Sequence, residues 1–214
     1  MRWCKKCLEP DTRPKCRFDD DAVCLPCRVG ENIGETDCQA RRQELDKIVQ
    51  WAKSNCNRQR SCYDVIIPVS GGKDSHRQSL YAREELGLRP LLVTLAYPPE
   101  QQTKLGANNL ANLIGLGFDC FYVSPAPEVW RRTVRFAFMA YGNWCIATEL
   151  ALFSAAPKVG ILYAIPLIIY GENPALSWGD AGGSLDGDAN RMKYSHTLRG
   201  GDVAVSYTHL RAHE

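Results

Sequence analysis

Apolar residues recur along this chain in two rhythms, and the change between them divides it. From Gln39 to Ala52, Leu45, Ile48, Val49 and Ala52 stand among Arg, Glu, Asp and Lys with the period of an amphipathic helix. Ser54 to Arg60 is polar and reads as a linker. At Tyr63 short continuous apolar runs begin. Tyr63–Val69, Leu91–Ala96, Cys120–Val123 and Ile165–Tyr170 read as four buried strands. Between them lie helical patterns from about Asp74 to Leu86 (stopped by Gly87), Thr103 to Gly115, Glu128 to Tyr141 and Ile146 to Val159. The last of these is apolar on nearly every side and is expected to be buried all round. Strands alternating with helices predict βαβ units, hence an α/β fold built on a doubly wound parallel sheet. After Gly179-Asp180 the chain turns polar and glycine-rich with no fifth strand, so the sheet is expected to be incomplete at its C-terminus.

Residues 1–36 have a different texture. Pro10, Pro14, Pro26, Gly30 and Gly34 sit among charges with few large apolar groups, so this stretch needs a staple to fold. Six of the ten cysteines crowd the first 38 residues: Cys4, Cys7, Cys16, Cys24, Cys27 and Cys38. Cys4-x-x-Cys7 and Cys24-x-x-Cys27, with sixteen residues between the pairs, match the spacing of a zinc site. Two such turns each present two thiolates and together make a tetrahedral cage. A saturated four-thiolate site is structural, and the metal supplies folding free energy that a polar segment lacks. Zn²⁺ is therefore expected on Cys4, Cys7, Cys24 and Cys27 in a zinc-ribbon-like module; Cys16 and Cys38 fall outside the pairing.

Charge and composition narrow the class. Twenty-six basic against 24 acidic residues leave a formal charge of +2, too balanced for a protein whose main task is gripping nucleic acid. Met1-Arg2-Trp3-Cys4 lacks the apolar region of a signal peptide. The most apolar run, Val159 to Tyr170, is about a dozen residues long and contains Pro166, too short to span a bilayer. A cytoplasmic protein that engages neither nucleic acid nor membrane is expected.

Pro68-Val69-Ser70-Gly71-Gly72-Lys73-Asp74-Ser75 directly follows a strand and opens a helix. Glycines let a ligand approach the backbone, and a helix N-terminus aims free N–H groups at an anion. The Ser70 and Ser75 hydroxyls add donors, and Lys73 can neutralise phosphate charge. The string is not a Walker loop, since Asp follows Gly72-Lys73, and no G-x-G-x-x-G is present to suggest a dinucleotide.

Ser70-Gly71-Gly72-Lys73-Asp74-Ser75 resembles the SGGxDS signature of the PP-loop ATP pyrophosphatases, with an adenine-nucleotide-alpha-hydrolase-like fold. These enzymes bind ATP with Mg²⁺, cleave between its α- and β-phosphates and adenylylate a carbonyl or amide oxygen. Cys4-x-x-Cys7-Leu8-x-Pro10-Asp11-Thr12-Arg13-Pro14, Ser70 to His76 and Thr103-x-x-Gly106-x-x-Asn109 narrow the likeness, as do Gly142-Asn143-Trp144-Cys145, Ile165-Pro166-Leu167-Ile168 and Gly171-Glu172-Asn173-Pro174. Together they resemble the N-acetyl sugar amidotransferases of bacterial surface-polysaccharide synthesis. That resemblance implies conversion of an acetamido to an acetamidino group on a nucleotide-activated sugar, in the O-antigen part of lipopolysaccharide biosynthesis. It implies catalytic roles for Ser70, Lys73, Asp74, Glu172 and Asn173. Nucleotide contacts would come from Ser70, Gly71, Gly72, Lys73, Asp74, Ser75, Thr94 and Gly171. Glu172 would bind Mg²⁺ or orient an amide, and Asn173 would hydrogen-bond a substrate oxygen, if the first and fourth strands are neighbours. The loop Tyr97-Pro98-Pro99 departs from the family's histidine-containing loop, and the family is longer than this chain.

No glutaminase signature accompanies the loop, so a partner glutamine amidotransferase is expected to supply ammonia. Arg131, Arg132 and Arg135 are candidates for anionic groups. Glu149, Cys145 and His76 are weaker site candidates, and His196 has no visible partner. Two other readings stay open: a PP-loop tRNA-thiolating enzyme, and an inactive zinc- and ATP-binding fragment. The resulting division is a Cys4 module at 1–36, a connecting helix and linker at 37–60, and a partial PP-loop ATP pyrophosphatase domain at 61–203. Residues 204–214 read as a non-native tail, because Val205 to Glu214 resembles one reading frame of a sequencing-library adapter.

Overall fold

Neighbouring residues of the first strand face opposite layers. In β1 (Val65–Pro68), Val65 and Ile67, with Val69 beyond, pack into one apolar cluster, whereas Ile66 packs into another. The computed structural model describes residues 1–12, 17–32 and 38–171. These fall in two units, one within Met1–Cys38 and one spanning Gln39–Gly171.

The larger unit is built on a parallel sheet of β1, β2 (Pro90–Leu95), β3 (Cys120–Val123) and β4 (Leu167–Ile168), in the order β3-β2-β1-β4. Pro68 stands opposite Val93 on β2, and Leu95 opposite Val123 on β3. β4 lies on the other side of β1, with Val65 opposite Leu167 and Ile66 opposite Ile168. The connections run outward from β1 to β3 and then return to the far side of β1. The topological switch point is thus between β1 and β4, where a doubly wound sheet opens a crevice at its carboxyl edge.

Helices cover both faces. On one, α2 (Cys38–Asn55), α3 (Lys73–Leu80) with the turn that continues it, and α4 (Lys104–Gly115) meet the sheet through Val49, Ala82, Leu110 and Leu113, packed with Val65, Ile67 and Leu92. The helix read as a connector therefore contributes Val49 and Leu45 to this layer. α3 runs on into a π-helical turn over Tyr81–Glu85 and ends before Gly87, whose φ of 58° is the left-handed conformation of a helix stop. Thr103 caps α4, its Oγ1 accepting the Gly106 amide at 3.0 Å. α5 (Pro127–Tyr141) starts on Pro127 and stops at left-handed Gly142.

On the opposite face α6 (Cys145–Tyr163) packs Ala155, Ala156 and Val159 against Ile66, Leu91 and Val93. It differs from expectation in two ways. It runs on to Tyr163, and it buries one face instead of its whole circumference: Leu152, Ile161 and Leu162 are exposed. The sheet covers only the inner side and α5 only part of the remainder, through Ala137, Ile146 and Ala147. Among the described residues α6 is the one helix long and apolar enough to cross a membrane, yet its inner face belongs to this layer.

At the amino edge Asp64 is buried and anchors β1. Its carboxylate pairs with Arg58 and accepts the Arg89 guanidinium at 3.1 Å and the Arg89 amide at 2.9 Å.

In the smaller unit, the turn after Cys4 closes through the Leu8 amide on the Cys4 carbonyl at 3.0 Å, with Leu8 left-handed. Short antiparallel bridges, Trp3 to Pro10 and Phe18 to Cys24, frame it. Helix α1 (Leu25–Asn32) begins directly after Cys24 and carries Cys27 in its first turn.

Candidate functional site

The glycine loop lies between β1 and α3 at the carboxyl edge beside the switch point. Gly71 is buried at φ 82°, and a β-carbon there would stand 2.8 Å from the Leu110 amide nitrogen and 3.0 Å from the Asn109 carbonyl carbon. Only glycine meets both demands. The contact brings Asn109, last residue of the Thr103–Asn109 motif, onto the loop.

Ser75 is buried, and its Oγ accepts the Ser70 amide at 3.1 Å. The Ser79 hydroxyl donates to the Ser75 carbonyl at 2.7 Å. Ser75 thus closes the loop internally, while Ser70, Lys73 and Asp74 are exposed. The first amide of α3 to donate along the helix is that of His76, to the Gly72 carbonyl at 3.2 Å. The amides of Lys73, Asp74 and Ser75 precede it, at the helix end that carries partial positive charge. His76 Nδ1 also lies 3.0 Å from the Gly72 carbonyl, which turns this ring toward the loop backbone.

Thr94 is buried on β2, one residue beyond the Pro68–Val93 pair and opposite Tyr122. Gly171 leaves β4 so close to α3 that a β-carbon would meet Gln78 Oε1 at 2.9 Å. The condition that β1 and β4 be neighbours is met. Glu172, Asn173, Cys16, His196 and the 204–214 tail lie outside the described residues.

A cleft of about 460 Å³ opens between the loop after β2 and α5, lined by Pro98, Gln101, Trp130, Val134, Arg131 and Arg135 among others. Trp130 is its rigid element: Nε1 donates to Gln101 Oε1 at 3.2 Å, and the ring meets Tyr97 edge-on at 5.4 Å. Arg131 is held by both carboxylate oxygens of Glu128. Burial, together with the charges of Glu149 and Cys145, raises the Tyr97 phenol above its ordinary pKa.

In the smaller unit the sulfurs of Cys4, Cys7, Cys24 and Cys27 all lie within 4.8 Å of one another, a group able to hold one metal ion. Cys4 and Cys27 are 3.9 Å apart, Cys7 and Cys24 3.5 Å. Zinc–sulfur bonds of ~2.3 Å at tetrahedral angles need sulfurs about 3.8 Å apart, so the donor set fits zinc in kind and spacing. Backbone amides of Lys6 and Cys24 donate to Cys4 Sγ at 3.4 and 3.3 Å. Burial opposes ionisation of Cys4, but these amides and that of Cys7 outweigh it and lower its pKa to about 6.

Sequence reasoning passed over Leu110, whose backbone seats the glycine loop, and Gln78, whose amide reaches β4. Neither carries a local signal, because both act across the fold.

No family model matches the chain, and no curated protein matches it. Similar solved structures include NMN synthetase from Francisella tularensis, 17% identical over 62% of this chain and 55% of that one, with a TM-score of 0.44. NH3-dependent NAD synthetase from Campylobacter jejuni is 15% identical over 65% of this chain and 58% of that one, TM-score 0.44. A predicted subunit of tRNA methyltransferase from Methanocaldococcus jannaschii is 19% identical over 51% and 53%, TM-score 0.36. The chain therefore spans little more than half the length of the first two.

Proposed function

We propose that the chain carries the ATP site of an AMP-forming amidotransferase that converts a sugar acetamido group to an acetamidino group. The supporting observation is the glycine loop: Gly71 is locked against Leu110, and the exposed start of α3 stands beside the β1–β4 switch point. The SGGxDS string and the accompanying motifs direct this anion cradle to the pyrophosphate of ATP.

In this reading the amides of Lys73 and Asp74 bind the β- and γ-phosphates, and the Lys73 ammonium offsets their charge. The Ser70 hydroxyl donates to a phosphate oxygen. Mg²⁺ bound with ATP would supply further charge neutralisation, and the exposed Asp74 carboxylate would be the loop's ligand for it. The acetamido oxygen attacks the α-phosphorus and pyrophosphate leaves. Ammonia then adds to the activated carbon and loses a proton, and AMP departs with the former amide oxygen. An unactivated amide reacts slowly because its oxygen leaves poorly; adenylylation removes that obstacle. Glu172 and Asn173, following Gly171, orient the acetamido group.

The acceptor is a nucleotide-activated acetamido sugar of O-antigen assembly, ammonia comes from a partner glutamine amidotransferase, and the reaction is cytoplasmic. A structural Zn²⁺ on Cys4, Cys7, Cys24 and Cys27 staples the N-terminal unit. Calorimetric titration with ATP and Mg²⁺ tests the site. Saturable binding to the wild type, lost in both Ser70→Ala and Asp74→Ala, is expected; binding unchanged by both substitutions refutes the assignment.

A further inference from the structure

The β1–β4 ladder stops at a residue that cannot continue it. Ile169 donates its amide to the Ile66 carbonyl at 3.0 Å, and the register places Ile169 opposite Ile67. In a parallel ladder the Ile169 carbonyl then accepts from the residue two after Ile66. That residue is Pro68, which has no N–H. The Val69 amide turns the other way, to Val93 on β2 at 2.9 Å. The missing donor is replaced from outside the sheet: Gln78 Nε2, on α3, donates to the Ile169 carbonyl at 2.7 Å. The other end of the same amide, Oε1, lies against Gly171, where a β-carbon would come within 2.9 Å.

The helix that presents the glycine loop therefore also grips the exit of β4. Pro68 keeps the two strands from zipping further at their carboxyl ends, and Gln78 holds them at a set separation where the crevice opens. We infer that Gln78 is a positioning residue of the nucleotide site: its side-chain amide fixes the chain leaving β4 relative to the phosphate cradle. The inference rests on the ATP reading. It accounts for a half-buried polar side chain that spans 91 residues of sequence to reach a main-chain carbonyl.

Three variants separate positioning from stability. Gln78→Leu removes the donor. Gln78→Glu keeps the shape but removes the donor while its carboxyl is ionised, and regains an O–H when it is protonated. Pro68→Ala combined with Gln78→Leu gives the Ile169 carbonyl a ladder donor in place of the side chain. ATP–Mg²⁺ affinity, thermal midpoint and amide exchange over residues 165–171 are measured on each.

Gln78→Leu is expected to weaken ATP binding about tenfold, the scale of one lost hydrogen bond, and to speed exchange at the β4 exit. Gln78→Glu is expected to match it at neutral pH and to recover toward the wild type on acidification. The double variant is expected to regain thermal stability without regaining affinity. Affinity within about twofold of wild type in both single variants, beside a lowered thermal midpoint, would make Gln78 a purely structural residue and overturn the inference. Recovery of both properties in the double variant would overturn it as well. Failure of the wild type to bind ATP would sink the ATP reading instead; unchanged exchange at residues 165–171 in Gln78→Leu would then still refute the clamp.

Discussion

Gly71 and Leu110 meet backbone to backbone: a β-carbon on Gly71 would lie 2.8 Å from the Leu110 nitrogen, inside any real contact distance. The loop's left-handed φ of 82° adds a second penalty for any side chain. Gly71→Ala is therefore expected to cost about 1–3 kcal/mol of stability and to abolish nucleotide binding, because loop and α4 must separate. Gly72→Ala meets only the Ser70 hydroxyl, at 3.6 Å, and is expected to be milder. Denaturant melts and ATP titrations of the two variants check this; equal effects would contradict it.

Purified protein is expected to contain one zinc per chain. Burial pushes the Cys24 thiol up, and its proton must leave when the metal binds, so affinity is expected to drop as the pH is lowered. Cys7→Ser, at the exposed corner of the cage, is expected to lower zinc content without touching the larger unit's glycine loop. Elemental analysis decides the matter: no metal, with all four thiols freely titratable under native conditions, contradicts the assignment.

Tyr63 donates its hydroxyl to Asp119 Oδ2 at 2.6 Å, tying the start of β1 to the start of β3. The Asp119 carboxylate, with burial adding, raises the Tyr63 pKa well above its ordinary value near 10. The folded form then keeps a proton that the unfolded form loses above about pH 10. This contribution is present below that pH and is lost as pH rises beyond it. Tyr63→Phe is expected to cost about 0.5–1.5 kcal/mol at pH 7, at the low end because the pair meets solvent, and to flatten the alkaline decline. Melts from pH 7 to 11 test the sign; a wild type that gains stability above pH 10 relative to Tyr63→Phe contradicts it.

Asp64→Asn leaves the Arg89 amide and two guanidiniums without their shared carboxylate. Both arginines reach solvent, so the loss is expected to be about 1–3 kcal/mol, short of that for a fully buried pair. Urea denaturation measures it, and a loss below about 0.5 kcal/mol would show the cluster to be unimportant.

The alternation of apolar runs was enough to foresee the four parallel strands and the helices between them, because each strand's burial is a local pattern. Gly87 marked the end of the helix after β1 for the same reason. The cysteine spacing led directly to four converging sulfurs, since two tight turns leave little freedom. What stayed hidden depends on pieces distant in sequence. Nothing near Gln78 announces Ile169, and Gly71 gives no sign that Leu110 is its neighbour. The outer face of α6 was misread because an all-apolar helix looks the same whether one layer covers it or two. The missing N–H of Pro68 gains its consequence only once β4 is known to lie beside β1.

Which bond of ATP is broken decides the chemistry of this site. Phosphorus NMR of the protein turning over ATP and Mg²⁺ with ammonium and an acetamido sugar nucleotide reads it directly. AMP and pyrophosphate are expected in equal amounts, with none formed by Asp74→Ala. ADP and orthophosphate as the products would contradict this.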